Sequence, residues 1–233
     1  MFDAKKLLDQ FLGSQVPGMS GSVRDKAGQA ADLARANPWK TGAIAAALLG
    51  TKTGRKLAGN VATVGGIAAI AGLGYLAYKN YQSGQAPQTV AQGQPELLPA
   101  PADSAFNPQS PQLTNDFALT LIRAMIAAAK ADGHIDAAER ANIMDKVHAV
   151  DLGAEAEAFI ANELANPVDI EDLVAAARSE EEKVELYTAT RLTIDPDTRA
   201  ERGYLDLLAG RLGLPDALLD HIDATVSAAK VQA

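Results

Sequence analysis

Cysteine is absent, which excludes disulfide scaffolds, thiolate zinc sites and cysteine nucleophiles. Histidine is scarce, at 3 residues in 233, and none has the partners its chemistry needs. Asp145-x-x-His148 is a single carboxylate–histidine step, where a di-iron bundle uses two together with further glutamates. His148 therefore reads as a surface group, as does His221 beside Asp220, and His134 reads as a solvent-exposed turn residue. No serine stands in G-x-S-x-G, so hydrolase chemistry lacks a nucleophile. Gly72-Leu73-Gly74-Tyr75-Leu76-Ala77 spells a dinucleotide-like string, but no alternating strand precedes it and no acid follows at the required distance. These absences leave no catalytic residue to name, and an enzyme is not expected.

Charge is present but unevenly divided. Residues 1–112 hold 10 Lys+Arg against 6 Asp+Glu, whereas residues 113–233 hold 11 against 23. An acidic half repels polyanions, which excludes nucleic acid as its partner and suits cations or basic proteins. Residues 1–56 form a basic N-terminal region. It begins with an amphipathic pattern in which Leu7, Leu8, Phe11 and Leu12 share one helical face. Such a segment lies on a membrane surface, lies on a partner, or frays as a short terminal helix.

Leu57 to Tyr78 runs 22 residues without a formal charge, and as a helix it would span about 33 Å, enough for a bilayer. Its small residues suit close helix packing in lipid, and therefore self-association through this span. Tyr75 and Tyr78 at one end suit an interfacial girdle. A transmembrane helix over 57–78 is expected. Lys40, Lys52, Arg55 and Lys56 precede it and only Lys79 follows closely, so the N-terminus should be cytoplasmic and the C-terminal half periplasmic. Residues 79–112 then read as a flexible linker, for 82–112 alone hold six prolines and seven glutamines with almost no charge.

From Asn115 onward the apolar period is helical throughout. Phe117, Leu121, Ile122, Met125 and Ile126 form one stripe, Ile143, Met144 and Val147 a second. Tyr204, Leu205, Leu208 and Leu212 form a third, and Leu218, Leu219, Ile222 and Val226 a fourth. Breaks at Gly133, Gly153, Asn166-Pro167, Asp195-Pro196 and Gly213-Leu214-Pro215 divide this half. The fold class is all-α, and residues 113–233 are expected to form a bundle of about seven helices.

Two acidic turns carry the candidate site. Ala129-Lys130-Ala131-Asp132-Gly133-His134-Ile135-Asp136-Ala137-Ala138-Glu139-Arg140 joins two helices, and so does Ile194-Asp195-Pro196-Asp197-Thr198-Arg199-Ala200-Glu201-Arg202. Both end in Glu-Arg, as an internal duplication would. Facing each other, they would pool Asp132, Asp136, Glu139, Asp195, Asp197 and Glu201 into a site for a hard cation such as Ca2+ or Mg2+. The first turn is not an EF-hand, because aligning Gly133 with that loop's glycine puts Ala128 and Lys130 at ligand positions. Helix capping is the competing account. Asp136-x-x-Glu139 and Thr198-x-x-Glu201 both fit the capping box, as does Ser179-x-x-Glu182, which has no partner turn.

These strings also carry a likeness. A-K-A-D-G-H-I-D-A-A-E-R at 129–140, followed by I-D-P-D-x-x-x-E-x-x-Y-L at 194–205, resembles the tellurite-resistance TerB-like superfamily. With the glycine-rich run and the Pro/Gln stretch, the chain resembles its YebE-type inner-membrane branch, whose function is unknown. The resemblance implies an all-helical domain in a bacterial envelope protein, linked to stress. It also implies a divalent-cation site on the six carboxylates named above and brings no catalytic activity.

Overall fold

A computed structural model describes residues 3–5, 7–8, 66–87, 100–110, 113–131, 135, 137–149, 153–167 and 169–231. These form eight helices and no strand: α1 Gly66–Gln82, α2 Asn115–Ala129, α3 Ala137–Ala149, α4 Ala154–Ala165, α5 Ile170–Ala176, α6 Glu180–Thr193, α7 Arg199–Leu212 and α8 Asp216–Val231. Seven of them lie beyond residue 113, as the apolar periods predict.

The breaks act for identifiable reasons. Gly213 sits at φ 69° and ψ 31° after α7, a left-handed conformation that disfavours a Cβ. The Leu214 N–H donates back to the Ala209 carbonyl at 3.2 Å, and the Pro215 carbonyl then opens α8 by accepting the Leu218 and Leu219 N–H groups at 2.8 and 3.1 Å. Thr198 caps α7 and Ser179 caps α6, each in a complete capping box.

The centre of the bundle is α6, every residue of which from Val184 to Thr193 is buried. It packs against α1, α2, α7 and α8, while α3 packs on α4, and α5 on α2 and α7. The apolar stripes face inward as their periodicity requires: Leu121, Ile122, Met125 and Ile126 of α2, Leu208 and Leu212 of α7, and Ile222 and Val226 of α8 are all buried. His221 shares that inner face with Leu218 and Ile222. It is buried against the ring of Tyr81, at 6.2 Å between centroids, which corrects its reading as a surface group. His148 is a surface group, with Nδ1 3.2 Å from Glu157 Oε2.

The expected transmembrane helix is corrected for the residues described. The second part of that run is α1, 17 residues long, and Ile67, Ile70, Leu73 and Ala77 are buried in the same core as α6 and α8. Among the described residues no helix is long and apolar enough to cross a membrane. The first part of the run, 57–65, lies outside the described residues. Small side chains allow close approach to any apolar partner, and here the partner is protein. A Cβ on Gly74 would lie 3.4 Å from both Phe106 Cε1 and Val184 Cγ1. Tyr75 and Tyr78 pack on the ring of Phe106, with centroids 6.0 and 5.6 Å away, rather than forming an interfacial girdle.

Phe106 comes from the Pro/Gln-rich stretch. Between 101 and 113 successive turns close with N–H to carbonyl bonds from Ser104 to Pro101, Asn107 to Ser104, Ser110 to Asn107 and Leu113 to Ser110, at 2.8–3.1 Å. This staircase places Phe106 at 3% exposure. Residues 88–99 lie outside the described residues. At the N-terminus, Ala4, Leu7 and Leu8 are buried in the common core, and the Ala4 N–H donates to Asn115 Oδ1 at 2.6 Å. Bundle side chains therefore cover the described part of that amphipathic face.

Candidate functional site

The second acidic turn follows α6 directly, and its three carboxylates have separate fates. Asp195 stands between two buried cations, Arg191 of α6 and Lys230 of α8, each 6% exposed. Lys230 Nζ donates to the Ile194 carbonyl at 2.9 Å and to Asp195 Oδ1 at 2.8 Å. Arg191 Nη1 donates to the same carbonyl at 2.8 Å and reaches Asp195 Oδ1 at 3.4 Å. Its Nε donates to Asp223 at 3.0 Å and its Nη2 to Ser227 Oγ at 3.2 Å.

Electrostatics follow from this geometry. Burial alone would raise the Asp195 carboxyl, but the hydrogen bond and charge of Lys230, joined by Arg191, outweigh it and hold the group below its ordinary value. Asp223, bonded to Arg191 but not to Lys230, moves the other way, because burial exceeds the attraction. Burial presses the Lys230 ammonium down to about 8, against the pull of Asp195. With two protein cations on it, Asp195 offers a metal ion little free charge. The network instead closes the last turn of α6 onto α8.

Glu201 is occupied as well. Its Oε2 accepts the Thr198 N–H at 2.8 Å and the Thr198 hydroxyl at 2.9 Å, while the Glu201 N–H donates to Thr198 Oγ1 at 3.2 Å. Here the capping account holds. Thr198→Ala is expected to cost about 1 kcal/mol by loss of the cap, measured as a lowered urea midpoint. Asp197 is exposed, with its N–H turned to the Asp195 carbonyl. The structure thus gathers Asp195, Asp197 and Glu201 at one helix junction, with two of them already engaged by protein groups.

Asp132 and Asp136 of the first turn lie outside the described residues, as does the side chain of Glu139, whose backbone belongs to α3. That helix packs on α4, whereas α7, which carries Glu201, packs on α6 and α5. Among the described residues no three His, Asp or Glu side chains are grouped to hold a metal ion. Lys130 of the first turn closes a helix end: its Nζ donates to the carbonyls of Glu163, Leu164 and Asn166 at 3.2, 3.3 and 2.5 Å, at the C-terminal end of α4. A surface cleft of about 310 Å³ opens beside this end, lined by Arg123, Glu163, Asp169, Asp172 and Leu173 among others.

Sequence reasoning missed Arg191, Asp223 and Lys230. The first had a visible signal, since Arg191 and Asp195 stand at i and i+4. Lys230 lies 35 positions from Asp195 and had none.

The described residues thus form an all-α bundle whose acidic junction after α6 is neutralised from within. The chain belongs to a family described as protein of unknown function (DUF533), which it matches over residues 35–226. It is 31% identical over 106 residues, 46% of this chain and 76% of the relative, to a Yersinia enterocolitica protein named "Uncharacterized protein in ampR 5'region". No solved structure matches it.

Proposed function

We propose that the chain is a non-enzymatic binding module of TerB-like kind whose acidic helical surface engages a basic protein. The observation that supports this reading is the contrast between committed and free carboxylates. Asp195 and Glu201 are engaged by Lys230, Arg191 and Thr198, while Asp172, Asp206 and Asp220 are exposed. Asp169 and Asp172 flank the cleft beside α4, where Leu173 adds an apolar wall to receive the stem of a lysine or arginine.

Binding of a lysine-rich peptide to the full chain tests the proposal. Affinity should fall steeply with salt and weaken about tenfold in Asp172→Lys, as expected when an attractive charge becomes a repulsive one. Unchanged affinity in that variant would remove the cleft from the interface, and no binding at low salt would end the reading. The cation reading keeps Asp132, Asp136, Glu139 and the exposed Asp197 as its candidate ligands. Millimolar Ca2+ or Mg2+ should leave the unfolding midpoint unmoved, and a stabilisation abolished by Asp132→Asn would replace the basic partner with a metal.

Location at the bacterial inner membrane belongs to the same proposal, on the strength of the resemblance. Alkaline carbonate extraction tests the mode of attachment. Release from the membrane pellet means peripheral association, and retention means an integral segment.

A further inference from the structure

The central helix carries an acid that no other part of the structure uses. Glu185 is 5% exposed and has no hydrogen bond or ion pair with a described residue. Thr188, three positions on and on the same side of α6, is 0% exposed and its hydroxyl is also unpartnered. A carboxylate there would face like charge, because Glu182 is fixed one turn away by the N–H groups of Ser179 and Arg178, with Glu181 beside it.

Among the described residues no cation compensates. On the elements packed against α6, Arg123 of α2 is held by Glu163, Lys230 of α8 by Asp195, and Lys79 of α1 lies over the Tyr75 ring. Arg211 of α7 is held by Glu171, and Arg191 of α6 itself by Asp195 and Asp223. The remaining titratable groups on these helices, among them Lys183, Asp116, Tyr78, Asp206 and His221, make no hydrogen bond or ion pair with Glu185.

We infer that Glu185 is a proton-binding site inside the bundle: it folds as the neutral acid, and its ionisation loosens α6 from its four neighbours, so that the stability of the protein falls as pH rises from the acid range through neutrality. Burial first, and then Glu182 and Glu181, push the carboxyl up to about 8. The sign follows from linkage. Between the ordinary glutamate value and about 8 the folded chain keeps a proton that the unfolded chain releases, so the stability is fully present below that window and is lost as pH rises through it.

Carboxyl carbon chemical shifts of the full chain should show Glu185 titrating near 8. A midpoint in the ordinary carboxylate range would overturn the inference. The unfolding constant of the wild type should rise with pH across the window while that of Glu185→Gln stays flat, the two agreeing at acid pH and differing on the order of a thousand-fold at its top. Glu185→Leu should also remove the slope, so the inference does not depend on how well glutamine packs. Parallel pH profiles for wild type and both variants would refute it.

Discussion

Asp195→Ala should destabilise the protein by about 2–3 kcal/mol, seen as a lower urea midpoint with the slope preserved. The variant leaves Arg191 and Lys230, both 6% exposed, sharing the Ile194 carbonyl with no carboxylate between them. Breaking a fully buried pair costs about 3–5 kcal/mol, and the smaller figure reflects the access of water to Asp195. Its side chain is 32% exposed. The same carboxyl, held below its ordinary value by Lys230 and Arg191, contributes stability that is present at neutral pH. That contribution disappears as acid protonates it. Asp197→Ala, on the exposed side of the turn, should stay within about 0.5 kcal/mol of the wild type. If Asp195→Ala were as stable as the wild type but lost a response to Ca2+, the carboxylate would be a metal ligand after all.

Phe106→Ala should cost about 3–5 kcal/mol, the usual penalty for deleting a buried aromatic side chain. Phe106 is 3% exposed, meets Tyr75 and Tyr78 edge-on or tilted, and lies over the bare backbone at Gly74. The prediction separates two architectures. If α1 lay in lipid and residues 100–110 were a free tether, shortening this ring would leave the unfolding of the bundle unchanged. A measured loss of several kcal/mol requires both segments to be part of one cooperative core.

The difference between those architectures shows what the sequence could express. The stripes on α2, α7 and α8 were legible because each helix repeats its apolar positions at a fixed interval, whatever it packs against. The stops at Gly153, Gly213 and Asn166-Pro167 were legible because they depend on backbone chemistry within a few residues. For α1 the same composition had two solutions. Alanine and glycine permit close helix contact in lipid and in protein alike, and the selecting partners, Phe106 and Val184, lie 32 and 110 positions beyond Gly74. The acidic turns posed the same problem in charge. Asp195-Pro196-Asp197 reads as free ligand oxygen until Lys230 is brought from 35 residues away. Glu201 was legible as a cap because its partner Thr198 is local.

The contact of α1 with α8 ties residues 66–82 to residues 216–231. During synthesis, α1 leaves the ribosome about 140 residues before α8 can cover it, which at the usual translation speed leaves its alanine-rich face without its main companion for at least several seconds. The nascent protein therefore passes through an interval in which a chaperone, or a bilayer, can compete for the surface that α8 later occupies.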